Sequence, residues 1–114
     1  MLKLDILVRR RPDLSHEQFL AHWRDVHGPL FSSQPEVKRR IRRYLQSRIV
    51  DDKPEGFPIS DFDGIAQLWF DDVAGFQAFF ASQNYKDVIK PDEERFTDPK
   101  RCEFVLSTEH ILIG

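Results

Sequence analysis

Residues 2–30 read LKLDILVRRRPDLSHEQFLAHWRDVHGPL, and the hydrophobic period changes inside this stretch. From Leu2 to Arg9 it is two: Leu2, Leu4, Ile6 and Val8 alternate with Lys3, Asp5 and Arg9, the pattern of a strand with one apolar face. Arg11-Pro12-Asp13 ends the strand, because proline cannot donate to a ladder. Ser15 with Gln18 three residues later fits a capping box and starts a helix. At about 100° per residue, Phe19, Trp23 and Val26 define the apolar direction of that helix. His16 and His27 fall within the stripe near Leu20 and Trp23, while His22 lies roughly 140° away from His27. The pair Gly28-Pro29 predicts an abrupt stop.

Working outward, Pro35 to Arg43 reads as a basic helical turn or loop, and Tyr44 to Val50 as a second strand. Asp51 to Asp63, with Pro54, Gly56 and Pro58, must be a loop. Gly64 to Phe70 (GIAQLWF) is more apolar and reads as a central strand. Asp71 or Asp72 caps a second helix through about Ser82, with Val73, Phe76, Phe79 and Phe80 on its apolar face. A further short helix over Tyr85 to Phe96, interrupted near Pro91, and a last long strand over Glu103 to Ile113 complete the chain. The order is βαββαβ, which predicts an α+β, ferredoxin-like domain: a four-stranded antiparallel sheet with helices on one face. The other face must meet water or a partner, and a second copy is the expected cover, giving a homodimer.

The 114 residues suit a single domain over 1–114. With 40% hydrophobic residues and ten Phe, a packed core is expected rather than disorder. A net charge of -2 gives no reason to expect a nucleic-acid or membrane partner. The run Lys38-Arg39-Arg40-Ile41-Arg42-Arg43 lacks interleaved aromatics and reads as a solvated face. The lone Cys102 excludes an internal disulfide and a thiolate zinc cage. Neither a signal peptide nor a transmembrane run is present, so a cytoplasmic protein is expected.

The residues that can carry chemistry are few. His27, predicted at a helix C-terminus beside an indole, is drawn toward the protonated form by the macrodipole and away from it by burial. Such a ring exchanges protons near neutral pH, although a packed histidine satisfied by a backbone carbonyl has the same spacing. Trp23 offers a flat wall for an aromatic or alicyclic ligand. Neither His22 with His27, nor His16 with His27 about 16 Å along the axis, is placed to chelate one ion, so no metal is expected. Phosphate-cradling and nucleophile-elbow motifs are absent. Tyr44, Asp61, Asp63 and His110 are the other polar residues within possible reach of a cleft, and turn chemistry is the plainer reading of the two aspartates.

The segment RRRPDLSHEQFLAHWRDVHGPL resembles the signature of the EthD family: a strand ending in basic residues, then Pro, Leu-Ser, an acidic residue, Phe, Trp and His-Gly-Pro-Leu. The likeness continues through RRYLQSRIV, FDGIAQLWFDDVAGFQAFFAS, DEERF and STEHILIG. It implies a dimeric α+β barrel with Trp23 and His27 lining a cleft between sheet and helices. Members and relatives include cofactor-independent monooxygenases, isomerases, and dehydratase- or decarboxylase-like enzymes. The expectation is a small cofactor-independent enzyme acting on a hydrophobic, oxygenated, cyclic or aromatic metabolite by His-mediated proton transfer, in an isomerisation, a dehydration or a monooxygenation. His27 is the acid/base, Tyr44 and His110 hydrogen-bond a substrate oxygen, and Trp23, Phe19, Leu30 and Trp69 form the substrate wall. The rival expectations are a metabolite-binding accessory protein without turnover and a haem protein ligated by His27 or His110.

Overall fold

The computed structural model describes all residues, Met1–Gly114. Strand β1 (Leu2–Val8) lies between β3 (Gly64–Phe70) and β4 (Glu103–Thr108), and β2 (Ile41–Arg48) pairs with the far edge of β3. The order β2-β3-β1-β4 is antiparallel throughout, the ferredoxin-like arrangement that the strand order predicts. Register places Leu2 opposite Phe70, Leu4 opposite Leu68 and Ile6 opposite Ala66. These side chains share one face with Tyr44 and Gln46 of β2, which pair with Leu68 and Ala66. That face receives every helix. The opposite face carries Lys3, Asp5, Leu45, Gln67 and Trp69 and has no helix on it.

Strand β2 begins three residues before the predicted Tyr44, because Ile41 is already buried opposite Phe70. A register shift between Ile41 and Arg43 absorbs Arg42. Strand β4 stops at Thr108, not Ile113. Beyond it Ile111, Leu112 and Ile113 are almost fully exposed; the alternation persists there, but there is no strand to pair with.

The helical layer departs from expectation in an informative way. Ser15 and Gln18 form the predicted capping box at the start of α1 (His16–His22). The chain does not stop at Gly28-Pro29. A π-turn (Trp23–His27) runs directly into α2 (Gly28–Ser33), with Gly28 itself in helical conformation. The physical reason is proline. Inside an α-helix its ring collides with the carbonyl four residues back and it donates nothing. Widening the preceding turn so that the Gly28 N–H reaches the Trp23 carbonyl makes room for the ring. Helix α3 (Pro35–Arg40) then leads into β2.

The second half repeats the device. Asp72 caps α4 (Val73–Ala81) by accepting from the Gly75 N–H. A second π-turn (Tyr85–Ile89) joins α5 (Lys90–Phe96), with Pro91 in its first turn and the Lys90 N–H on the Tyr85 carbonyl. Pro91 therefore does not interrupt the helix. The sequences run in parallel, WRDVHGP against YKDVIKP, with an aromatic and a basic residue first and the same Asp, Val and Pro. Val73 is not part of the apolar face of α4; it is half-exposed, while Phe76, Phe79 and Phe80 pack inward.

The core lies between sheet and helices. Phe19, Phe70, Phe79 and Phe96 are fully buried and in ring contact with their neighbours, each worth about 1.5–3 kcal/mol of transfer free energy. No helix is long and apolar enough to cross a membrane.

Candidate active site

The same layer encloses a cavity of about 150 Å³. Ile6 and Val8 of β1, Tyr44 of β2, and Ala66 and Leu68 of β3 form its floor. Trp23, His27, Phe31, Phe79, Phe80, Tyr85 and Phe96 close it from the helical side, and Lys90, Glu93, Glu94, Cys102 and Phe104 complete the wall. Trp23 sits where the sequence places it. Its ring lies over the start of β3, where a Cβ on Gly64 would stand 2.5 Å from Cζ3 of the indole; only a glycine admits that approach.

His27 is buried, and its Nδ1–H donates to Oδ2 of Asp92 at 2.8 Å. Because an ionised carboxylate only accepts, this bond fixes the tautomer and leaves Nε2 as the basic nitrogen. No hydrogen bond engages Nε2, and His27 lines the cavity. Asp92 is 1% exposed, on α5. Its other oxygen accepts from Nε2–H of His22 at 3.0 Å and from Arg95 at 3.3 Å. Burial pushes the Asp92 carboxyl up, but its hydrogen bonds to His27 and His22 prevail and hold it below the usual carboxylate range. Phe96 packs against both imidazoles, with ring centroids 4.8 Å from His22 and 4.9 Å from His27.

His22 and His27, expected to diverge, therefore converge on one carboxylate. A turn closed by bonds to the fifth residue back brings residues five apart onto nearly one face, whereas a 100° step separates them. The same widening turns Val26 outward, where it is 49% exposed. The chain also stays helical past His27, so no helix end lies there to favour its cation. Burial lowers the His27 pKa despite the Asp92 hydrogen bond, and the ring is neutral at neutral pH.

Tyr44 accepts a hydrogen bond from Gln46 Nε2 at 2.8 Å, and the same amide holds the Trp23 carbonyl at 2.9 Å. Burial, with the charge of Glu93 adding to it, pushes the Tyr44 phenol up to about 12. It is a neutral O–H donor on the cavity wall. Tyr85 donates to Oε1 of Glu93 at 2.6 Å. Burial drives the Glu93 carboxyl up to about 7.

Four expected site residues lie elsewhere. Phe19 is core, packed on Trp23 and Phe96. Leu30 faces away, and its neighbour Phe31 lines the cavity instead, because α2 continues where a stop was expected. Trp69 is on the opposite sheet face, where Lys3 and Arg43 stack on it and its Nε1–H donates to Glu109. His110 follows the end of β4 and is exposed, away from the cavity. Asp63 is buried but serves His16 (2.7 Å) and Arg10 (2.7 Å), and Asp61 pairs with Arg9 on the surface. Asp92, Glu93, Tyr85 and Phe31 were not expected. DEERF falls within the stretch that resembles the family, but nothing local in it points to the pairing of Asp92 with His27.

Comparison with known proteins agrees with this architecture. A solved protein from Bacillus halodurans, described as an ethyl tert-butyl ether d (EthD) family protein, superposes with a TM-score of 0.71 at 24% identity, over 96% of this chain and 99% of the other. A ferredoxin-like protein of unknown function from Bacteroides fragilis, described as dimeric, superposes with a TM-score of 0.62 at 12% identity over 93% of both chains. Among curated sequences, dehydratase aurZ of Gibberella zeae is 26% identical over 106 residues, 86% of this chain and 70% of that protein. Decarboxylase claH of Passalora fulva is 27% identical over 116 aligned positions, 92% of this chain and 73% of that protein. The EthD domain description matches residues 11–100, and the chain belongs to the EthD family.

Proposed function

We propose that this protein is a small cofactor-independent enzyme that moves protons on an oxygenated, largely apolar ring compound. One observation carries the reading: His27 is fixed through Nδ1 to the buried Asp92, no hydrogen bond engages its Nε2, and the residue lines an aromatic-walled cavity. A neutral imidazole held in one tautomer is a general base ready at neutral pH. Nε2 takes the proton from a carbon next to a carbonyl. The Tyr44 O–H hydrogen-bonds the oxygen on which negative charge gathers, and Trp23 and Phe31 hold the ring. Asp92 touches no substrate; it positions His27 and stabilises the imidazolium. The names of the relatives, dehydratase and decarboxylase, belong to reactions that pass through such carbanion-like states, which favours this class.

The size of the cavity narrows the substrate. A space of about 150 Å³ accommodates roughly one benzene-sized ring, so a single ring is preferred over a fused polycycle. The helix-free sheet face supports a homodimer: Oδ1 of Asp5 is buried there with no hydrogen bond and only the Lys3 ammonium at 3.6 Å, and the adjoining tail leaves Ile111, Leu112 and Ile113 exposed.

The test is deuterium exchange at the α-carbons of cyclohexanone in D₂O, followed by proton NMR. The wild-type protein accelerates exchange and His27→Ala does not. A wild-type protein that binds the ketone without exchanging it is a binding protein, and the catalytic reading falls.

A further inference from the structure

Resting on the His27 reading, we propose that Glu93 is a second catalytic residue of the cavity. It gives its proton to a hydroxyl leaving group, so that the substrate is a ring bearing a hydroxyl β to a carbonyl and the reaction is its dehydration. Nothing in the base mechanism needs this carboxyl. It is nevertheless built into the wall: Glu93 lines the cavity, Oε1 is held by the Tyr85 hydroxyl at 2.6 Å, and no hydrogen bond engages Oε2.

Its placement follows from α5. Adjacent residues on a helix point in different directions, so Asp92 turns to the two histidines while Glu93 turns to the cavity. One helix thus orients the base and presents an acid. Tyr85 of the π-turn, Tyr44 of β2, Cys102 before β4, and Asp92, Glu94 and Lys90 of α5 are the titratable groups around it. Lys90 is the cation of this set, opposed by two carboxylates, and burial of Glu93 keeps its proton on near neutral pH.

The step balances. His27 Nε2 takes the α-proton, and the C–H electron pair becomes the new C=C bond. The C–O bond breaks, and the departing oxygen takes the proton from Glu93 and leaves as water. His27 ends protonated and Glu93 ionised. Transfer of a proton from one to the other through solvent restores the site, with no oxidant or reductant needed.

Two probes separate this proposal from the one beneath it: α-exchange of cyclohexanone, which has no leaving group, and conversion of 3-hydroxycyclohexanone to cyclohex-2-enone, read by ultraviolet absorbance. Glu93→Gln keeps the shape and still accepts from Tyr85. It is expected to slow elimination by about 10²–10⁴-fold and exchange by far less. Tyr85→Phe removes the bond that holds the Glu93 pKa down, so the alkaline limb of the elimination profile is expected to move to higher pH. Elimination by Glu93→Gln within about twofold of wild type, far below the usual loss of an acid catalyst, overturns the Glu93 assignment and leaves the His27 reading standing. An alkaline limb unmoved in Tyr85→Phe also overturns it. Absence of wild-type cyclohexanone exchange overturns both.

Discussion

The turns Trp23–Pro29 and Tyr85–Pro91 have nearly the same backbone and opposite uses. Each is a π-turn feeding a helix with proline in its first turn. Each runs aromatic, basic, Asp, Val, and then a buried residue. In the first that buried residue is His27; in the second it is Ile89, which is fully buried and serves packing alone. Past the proline the roles reverse. Leu30 and Phe31 follow Pro29, while Asp92 and Glu93 follow Pro91. His27, the proposed base, stands on one turn and its carboxylate partner Asp92 on the helix that follows the other, so the pair exists only where the halves meet. A wide turn supplies the geometry, and side-chain identity decides whether that geometry packs or reacts.

Exchanging counterpart residues breaks the comparison most directly. His27→Ile gives the first turn the second turn's residue and is expected to lower proton-transfer rates by about 10²–10⁴-fold, measured as cyclohexanone exchange. The same substitution leaves Asp92 buried with only His22 and Arg95, at a cost of about 3 kcal/mol in urea denaturation. The double variant His27→Ile/Asp92→Leu removes both halves of the pair. It is expected to recover at least about 1 kcal/mol relative to the sum of the single changes. Strict additivity would mean that the two turns are not coupled through this bond.

Glu93 sharpens the contrast with Phe31. Its folded pKa, about 7, lies above the value of an unfolded glutamate. Stability from this group is complete below the unfolded pKa and is lost as pH rises through about 7. Glu93→Gln is therefore expected to exceed the wild type in stability above pH 7 by up to about 3 kcal/mol, with no advantage near pH 4. Asp92 has the opposite sign: its depressed pKa contributes stability above the unfolded carboxylate value that is lost as acid protonates it. The smallest effect belongs to Gly64→Ala. The added methyl displaces the Trp23 indole and is expected to cost about 1–2 kcal/mol, read by thermal unfolding. Tyr85 has no such glycine beneath it, so the first turn alone is sensitive in this way.

The local periodicities of the chain determined a good deal. Alternation at Leu2–Val8, the β3 segment Gly64–Phe70, the capping box at Ser15 and the Asp72 cap are properties of neighbouring residues, and each stands where the pattern puts it. Their order was enough for the ferredoxin-like topology, and Trp23 and His27 were legible as cavity residues from one helix stripe and the family likeness. Tertiary structure decided the rest, for a reason visible at Pro29. Read locally, Gly-Pro ends a helix. In the folded chain the turn widens instead, the helix continues, and the face shifts so that Phe31 enters the cavity, Val26 leaves it and His22 joins His27. Asp92 lies 65 positions from His27 along the chain. No periodicity within either segment links the two, because the bond between them forms only when both helices pack on the same sheet face. The sequence determined the scaffold and singled out His27; the packing of its two halves supplied the carboxylate that holds His27 and placed Glu93 on the same cavity.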